Sequence, residues 1–459
     1  MHRYIGDRNF YRRVFTILLP ILIQNVITTF VSLLDNIMVG QMGTEPMSGV
    51  AIVNQLFFVY NLFALGGISG AGILTAQFYG KGDQNGIRQS VRVKLWIAVG
   101  IFAAFGALLF FLGDRMILLF LHEGNSGLDL LATERYAQDY LDVMLIQLLP
   151  FAVTMVYAST LRETGETLLP MKAGLIAVFV NLVFNYILIF GKLGAPALGV
   201  VGAAIATVLS RFVELAVVVL WTHRHPAKNP YIVGLYQSFY IPKDILRQML
   251  ILGLPLMINE LLWSGGMTIL NQCYSLRGLE VVSAFNIYST ISNLFFSAFI
   301  STGNATAIMV GQLLGAGELD RAVEEDRRLL AFAVALSLLV GALQALTAPL
   351  IPRIYNTIPQ VRQLATDVLL ISALLLPLHA FANSCYFTLR SGGKTGITFI
   401  FDSGILWAVN IPAAFILAYF TSVPIIPMFV IVESLNLIKC IVGIVMVRRK
   451  SWVVNLVGG

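Results

Sequence analysis

Residues 14–41 read VFTILLPILIQNVITTFVSLLDNIMVGQ, an apolar run whose single charge is Asp35. A helix needs about 20 such residues to cross a hydrocarbon core about 30 Å thick. The stretch before it, MHRYIGDRNFYRRV, is basic, but no small-residue cleavage site closes the apolar run, so it reads as a cytoplasmic tail leading into a retained first span. Eleven further apolar runs follow, at 49–78, 93–120, 138–160, 169–191, 198–222, 247–272, 280–312, 328–352, 364–389, 396–420 and 424–447. Over the 459 residues 58% are apolar and 12% charged, about half the usual charged share of about 25%. A soluble globule cannot hide so much apolar surface, which excludes a soluble enzyme, a nucleic-acid binder and a disordered scaffold.

The charges orient the spans. Of the 30 Lys and Arg, 22 fall on the side of the N-terminus and 6 on the other, with Arg211 and Lys439 inside spans. This bias places both termini in the cytoplasm and explains the net charge of +6 without nucleic acid. Cys273, Cys385 and Cys440 share no metal-binding spacing and lie in apolar runs.

Near residue 230 the chain starts again. Leu19-Pro20 matches Leu254-Pro255, and QFYGKG at 77–82 matches QLLGAG at 312–317, both at an offset of 235. Pro150 matches Pro377, Leu161-Arg162 matches Leu389-Arg390, and Arg211 meets Lys439, at 227 or 228. Six spans per copy, an even number, give the copies one orientation, related by an axis along the membrane normal. The expected fold is therefore an all-α polytopic membrane protein, twelve transmembrane helices in two six-helix lobes around a central cleft. The N-terminal lobe spans 1–222, a basic proline-bearing linker 223–246, and the C-terminal lobe 247–459. Two lobes facing a cleft suit alternating access by rocking, and no repeated pore-lining ring argues for a channel.

Ionisable groups inside spans are expensive and so mark function by default. Asp35 lies about 10 Å below the outer end of span 1. Asn181 and Asn185, four apart on one face of span 5, lie about 15 and 9 Å deep, and Thr207 of span 6 shares that band. Together these four can hold a proton or Na⁺ and trade it against a cationic substrate; no other metal site is expected. Glu260, five residues after Pro255, stands near mid-membrane and is a candidate substrate ligand, as is His379, the one span histidine. Glu214, three residues from Arg211, reads as its ion-pair partner. Asp402 reads as an interfacial or capping residue, and Lys439 finds no partner by spacing. Phe57, Phe58, Tyr60, Trp263, Tyr274 and Tyr288 can line an amphipathic cavity, although packing is the default for each. Gly66 and Gly70, like Gly311 and Gly315, have GxxxG spacing and allow close helix packing. GGKT at 392–395 lacks the first glycine of a phosphate loop, with Thr at 388, and no nucleotide or hydrolase motif is present.

With LPILIQNVITTFVSLLDNIMVGQMG at 19–43, NLVFNYILIFG at 181–191, GVVGAAIATVLSR at 199–211, LGLPLMINELLW at 252–263, the QFYGKGD segment and the duplication, the chain resembles the multidrug and toxic compound extrusion (MATE) family of antiporters over essentially its whole length. The resemblance implies export of cationic, amphipathic small molecules coupled to H⁺ or Na⁺, with no cofactor, no ATP and no enzymatic activity, by a protein of the bacterial inner membrane. It matches Asp35 to the family's span 1 acid, Asn181 and Asn185 to its span 5 polar pair, Thr207 to a span 6 hydroxyl and Glu260 to the span 7 acid of one branch. That branch also has an aspartate in span 10, where this chain has His379 nearby instead. A flippase for lipid-linked sugars, from the same superfamily, is the alternative; it would need a more cationic cleft. A membrane-embedded enzyme or receptor is a third reading, opposed by the duplication. Each chain carries a complete cleft, so a monomer suffices, and the lipid bilayer is its solvent.

Overall fold

The computed structural model describes residues 4–121, 129–355 and 357–458. Of the basic N-terminal stretch, residues 1–3, Arg3 among them, lie outside the described residues. Twelve described helices are long and apolar enough to cross a membrane: α1 (Arg8–Gly40), α2 (Thr44–Lys81), α3 (Gln84–Leu118), α4 (Leu130–Glu163), α5 (Leu168–Phe190), α6 (Val200–Arg224), α7 (Lys243–Ser275), α8 (Leu279–Gly315), α9 (Leu319–Thr347), α10 (Pro359–Ser391), α11 (Thr395–Phe420) and α12 (Ile425–Arg448). The all-α, twelve-span, six-plus-six class expected from the sequence is the class found.

Helices overrun the apolar stretches because backbone pairing does not stop where hydropathy falls. α3 starts at the Asp83 cap, whose side chain accepts from Gly86 N at 2.9 Å. α4 is capped by Asp129, accepting from Ala132 N at 3.1 Å, and carries a 3₁₀ turn at Leu145–Gln147. α3 thus starts before the apolar run at 93–120 and carries Arg88, Arg92 and Lys94 on helix. Lys94 is fully buried there because it is neutralised. Its Nζ is 2.5 Å from Glu163 Oε2 and donates to Ser159 and Thr160 hydroxyls, each at 3.2 Å.

The helices form two compact units. One gathers Leu254–Gly459 with Met1–Leu22 and Ala76–Gly82; the other holds Ile23–Thr75 and Asp83–Gly253. The chain therefore changes unit two residues beyond Pro20 of α1 and immediately before Leu254-Pro255 of α7, repeat-equivalent prolines that each interrupt a helical hydrogen-bond ladder.

In the first of these units, Phe10, Val14, Leu18, Met309, Leu314, Leu329 and Trp452 make one buried cluster, and Leu270, Tyr274, Phe285, Met428 and Phe429 another. In the second, α5 ends at Gly191 in the left-handed region (φ 64°), which only glycine adopts without strain. The turn returns the chain so tightly that a Cβ at Gly202 of α6 would stand 2.6 Å from the Leu188 carbonyl of α5. That contact sets the registry of the α5–α6 pair on which the candidate site is built.

Residues 225–242, between α6 and α7, are folded down in the second unit. Tyr231 is buried in a short 3₁₀ turn, Pro230–Ile232. Arg92 Nε donates to Leu235 O at 2.9 Å, its Nη2 to Gly234 O at 2.8 Å, and Arg88 Nε to Tyr231 O at 3.2 Å. Tyr157 Oη pairs with Tyr236 Oη and with His223 Nε2, the latter at 3.0 Å. Charge-assisted bonds from guanidinium to carbonyl are worth about 1.5–3 kcal/mol each. Arg92→Ala should therefore loosen this segment by about 2 kcal/mol and speed its cleavage by added protease at least tenfold. Equal cleavage rates would refute the clamp.

Candidate functional site

Asp35 lies one turn before the end of α1. Facing it are Asn185 and, one turn earlier on the same face of α5, Asn181; both are buried. Asn185 Nδ2 donates to Asp35 Oδ1 at 2.7 Å. The hydrogen-bond network turns the Asn181 amide so that its oxygen accepts from Thr207 Oγ1 at 3.3 Å. Its nitrogen then faces Asp35 Oδ1 and Oδ2 at 2.9 and 3.2 Å. Two amides from α5 thus converge on one carboxylate of α1 and are braced by a hydroxyl of α6. Asn185 Oδ1, the other end of its own amide, is buried with no hydrogen-bond partner among the described residues, an acceptor unsatisfied by protein.

All of these but Asn181 open on a cavity of about 370 Å³. Asp35, Asn185 and Thr207 line it with Arg211, which is one turn below Thr207 on α6; Phe57, Phe58, Tyr60 and Phe151 supply aromatic wall. Tyr60 spends its hydroxyl on Leu148 O at 2.7 Å and so offers the cavity a ring rather than a donor. Arg211 and Glu214 form the expected pair, Nη1 to Oε2 at 2.8 Å, and the guanidinium lies 5.3 Å from the Phe151 ring centre. The oxygens present, a carboxylate, an amide and a hydroxyl, are hard donors of the kind that suit a proton or a small hard cation.

Glu260 and His379 belong to the other compact unit and are not joined to each other by a hydrogen bond. Glu260 makes no hydrogen bond or ion pair among the described residues; Arg390 and Asp402 are the charges acting on it. His379 Nε2 is 3.0 Å from Glu433 Oε2, which also accepts from Asn436 Nδ2 at 3.2 Å. Glu433 is thus the neighbour that satisfies the imidazole.

Asp402 departs from its reading as a cap. It accepts from Lys439 Nζ at 2.8 Å and from Asn259 Nδ2 at 3.1 Å, and it sits in a π-helical turn, Ile400–Gly404. Ser403 Oγ closes the network on Asn259 Oδ1 at 2.6 Å. The sequence shows each as a charge inside a span without a local partner, but not which opposite charge it meets. Tyr274 and Tyr288 pack edge-on with Phe429, at 5.9 and 5.6 Å between centroids.

Known proteins resemble this chain across both repeats. The family described as MatE matches residues 20–187 and again 255–416, once per repeat. The probable multidrug resistance protein NorM of Thermotoga maritima is 26% identical over 87% of this chain and 84% of its own. The multidrug resistance protein MdtK of Pectobacterium atrosepticum is 26% identical over 91% of this chain and 89% of its own. Among solved structures, a multidrug resistance MATE family transporter in an outward-facing conformation superposes with a TM-score of 0.87, at 21% identity over 98% of both chains. A MOP superfamily transporter from Pyrococcus furiosus gives 0.85, also at 21% and over 98% of both. Those two likenesses establish the fold. The match across both repeats establishes more: the chain belongs to the MatE family of multi-pass membrane transporters and is not an enzyme.

Proposed function

We propose that this transporter exports cationic, amphipathic small molecules in exchange for H⁺ or Na⁺, without a further cofactor. The observation that carries the reading is Asp35, held by two buried amides at the edge of a mixed polar and aromatic cavity, with Asn185 Oδ1, the other end of one of those amides, unsatisfied among the described residues. A carboxylate so placed prefers to hold a cation, and a cavity of this kind gives an amphipathic cation both a charge and an aromatic surface. The coupling set is Asp35, Asn181, Asn185 and Thr207; Glu260 and His379 are the proposed substrate contacts of the C-terminal half. The multidrug names of the relatives support the same substrate class.

The remaining organisation follows from the repeat. The lobes are 1–222 and 247–459 with the linker 223–246; they rock about a site in the membrane, as a monomer, with both termini cytoplasmic in a bacterial inner membrane. The flippase alternative has less support, because among the described residues Arg211 is the single cation in the Asp35 cavity wall and Asp35 stands there to offset it.

The test is ethidium export from proteoliposomes under a Na⁺ gradient alone and a pH gradient alone. One gradient should drive export against the dye gradient and collapse when its ionophore is added. If neither gradient changes export, the antiport reading is wrong.

A further inference from the structure

The Asp35 cavity contains its own cation. Arg211 stands on the cavity wall with Asp35, and it is the charged residue acting on that carboxylate. Its side chain is one-third exposed, and only one of its nitrogens, Nη1, is spent on Glu214. Nε is buried without a hydrogen-bond partner, so the guanidinium is held but not saturated. Glu214 has a second cationic neighbour as well, because Arg162 lies within its electrostatic reach. Glu214 therefore stays compensated if Arg211 turns away. The titratable groups facing the cavity are Asp35 on α1, Tyr60 on α2, Tyr140 on α4 and Arg211 on α6, with Glu214 behind Arg211.

We infer that Arg211 is a tethered cation that alternates between Glu214 and Asp35. When a transported cation occupies Asp35, Arg211 rests on Glu214 and stacks on Phe151. When the cation leaves, Arg211 turns to Asp35, so the carboxylate never stands uncompensated in the membrane. Substrate, coupling ion and Arg211 then compete for one negative charge, and Glu214 tunes that competition by holding Arg211 back. The inference rests on the proposed role of Asp35.

A competitor tethered in the site gives its two neighbours opposite effects, which cement in a helix does not. The probe is tetraphenylphosphonium, binding to the full chain in lipid nanodiscs at fixed pH and Na⁺ and read by calorimetry. Arg211→Gln removes the competitor and should tighten binding at least about tenfold, well inside the roughly thousandfold that a unit charge about 4 Å away supplies at an effective dielectric near 20. Glu214→Gln releases Arg211 toward Asp35 and should weaken binding about tenfold. The double variant should behave as Arg211→Gln, and Arg211→Lys should return toward the wild type. If both single variants weaken binding alike, or neither changes it, Arg211 is structural and the inference is overturned. Asp35→Asn separates the two layers: unchanged probe binding there refutes the site itself. Binding lost in Asp35→Asn but unmoved in Arg211→Gln refutes only the tethered cation. Should Glu214→Gln fail to fold, the sign seen in Arg211→Gln, and its disappearance in an Asp35→Asn background, still decide.

Discussion

Asp35→Asn should reduce coupled export at least about 100-fold at unchanged expression and melting temperature. The substitution is nearly isosteric, so the helix contacts of α1 stay and only the charge and one acceptor are lost. Binding suffers first: a cation entering the cavity meets amides, a hydroxyl and Arg211, with no free negative charge to offset its desolvation, and a buried ion without a partner costs several kcal/mol. About 2.7 kcal/mol already corresponds to a factor of 100. Coupling suffers as well, because a neutral amide cannot exchange one cation for another. Stability should not fall, since Asn185 Nδ2 still finds an oxygen at the 2.7 Å position now held by Asp35 Oδ1. Ethidium efflux from cells without their own pumps, normalised to expression, checks this. Export within twofold of the wild type would make the cluster a structural brace and remove the basis of the proposed antiport.

How far the sequence discloses such a site depends on whether the contact is local. Asn181 and Asn185 are one turn apart, and depth arithmetic on α1, α5 and α6 brings Asp35 and Thr207 to the same level; both rest on helix geometry alone. The spans themselves follow from hydropathy and charge bias, because in a bilayer the backbone has little alternative to the helix. Partners distant in the chain are a different matter. Lys94 and Glu163 are 69 residues apart and Asp402 and Lys439 are 37 apart, and which opposite charge each meets is decided by helix packing that no spacing encodes. For the same reason Arg211 reads from sequence only as the i,i+3 partner of Glu214. That it also faces the Asp35 cavity depends on how α6 is rotated against α1, α2 and α4. Helix ends err for the opposite cause: hydropathy reports where lipid ends, whereas α3 continues to the Asp83 cap.

The two repeated glycine motifs carry the second large expectation. In QFYGKG and QLLGAG the repeat-equivalent glycines Gly80 and Gly315 lie in one compact unit, and each is pressed on the other motif's glutamine backbone. A Cβ at Gly80 would stand 1.8 Å from Gln312 O, and one at Gly315 would stand 1.9 Å from Gln77 O. Neither obstacle is a side chain that can move aside. Gln77 is moreover fixed through its amide, donating to Ser391 O at 3.0 Å and accepting from Leu456 N at 2.7 Å, while Gln312 Oε1 accepts from Arg13 Nη2 at 2.9 Å. Even Gly80→Ala or Gly315→Ala must therefore force the ends of α2 and α8 apart. Overpacking against backbone sits at the top of the usual range, at least about 3 kcal/mol each, and the pseudo-symmetry requires the two losses to be similar. The second glycine of each motif gives an internal contrast. Gly82 and Gly317 have φ of 79° and 78° and nothing within 4 Å of a Cβ, so alanine there meets only left-handed strain, about 1–2 kcal/mol. Thermal unfolding of the four alanine variants should rank Gly80 and Gly315 together, well below Gly82 and Gly317. If all four melt within a degree of the wild type, the helix ends do not pack at backbone distance, and the duplicated motif has no role in holding α2 against α8.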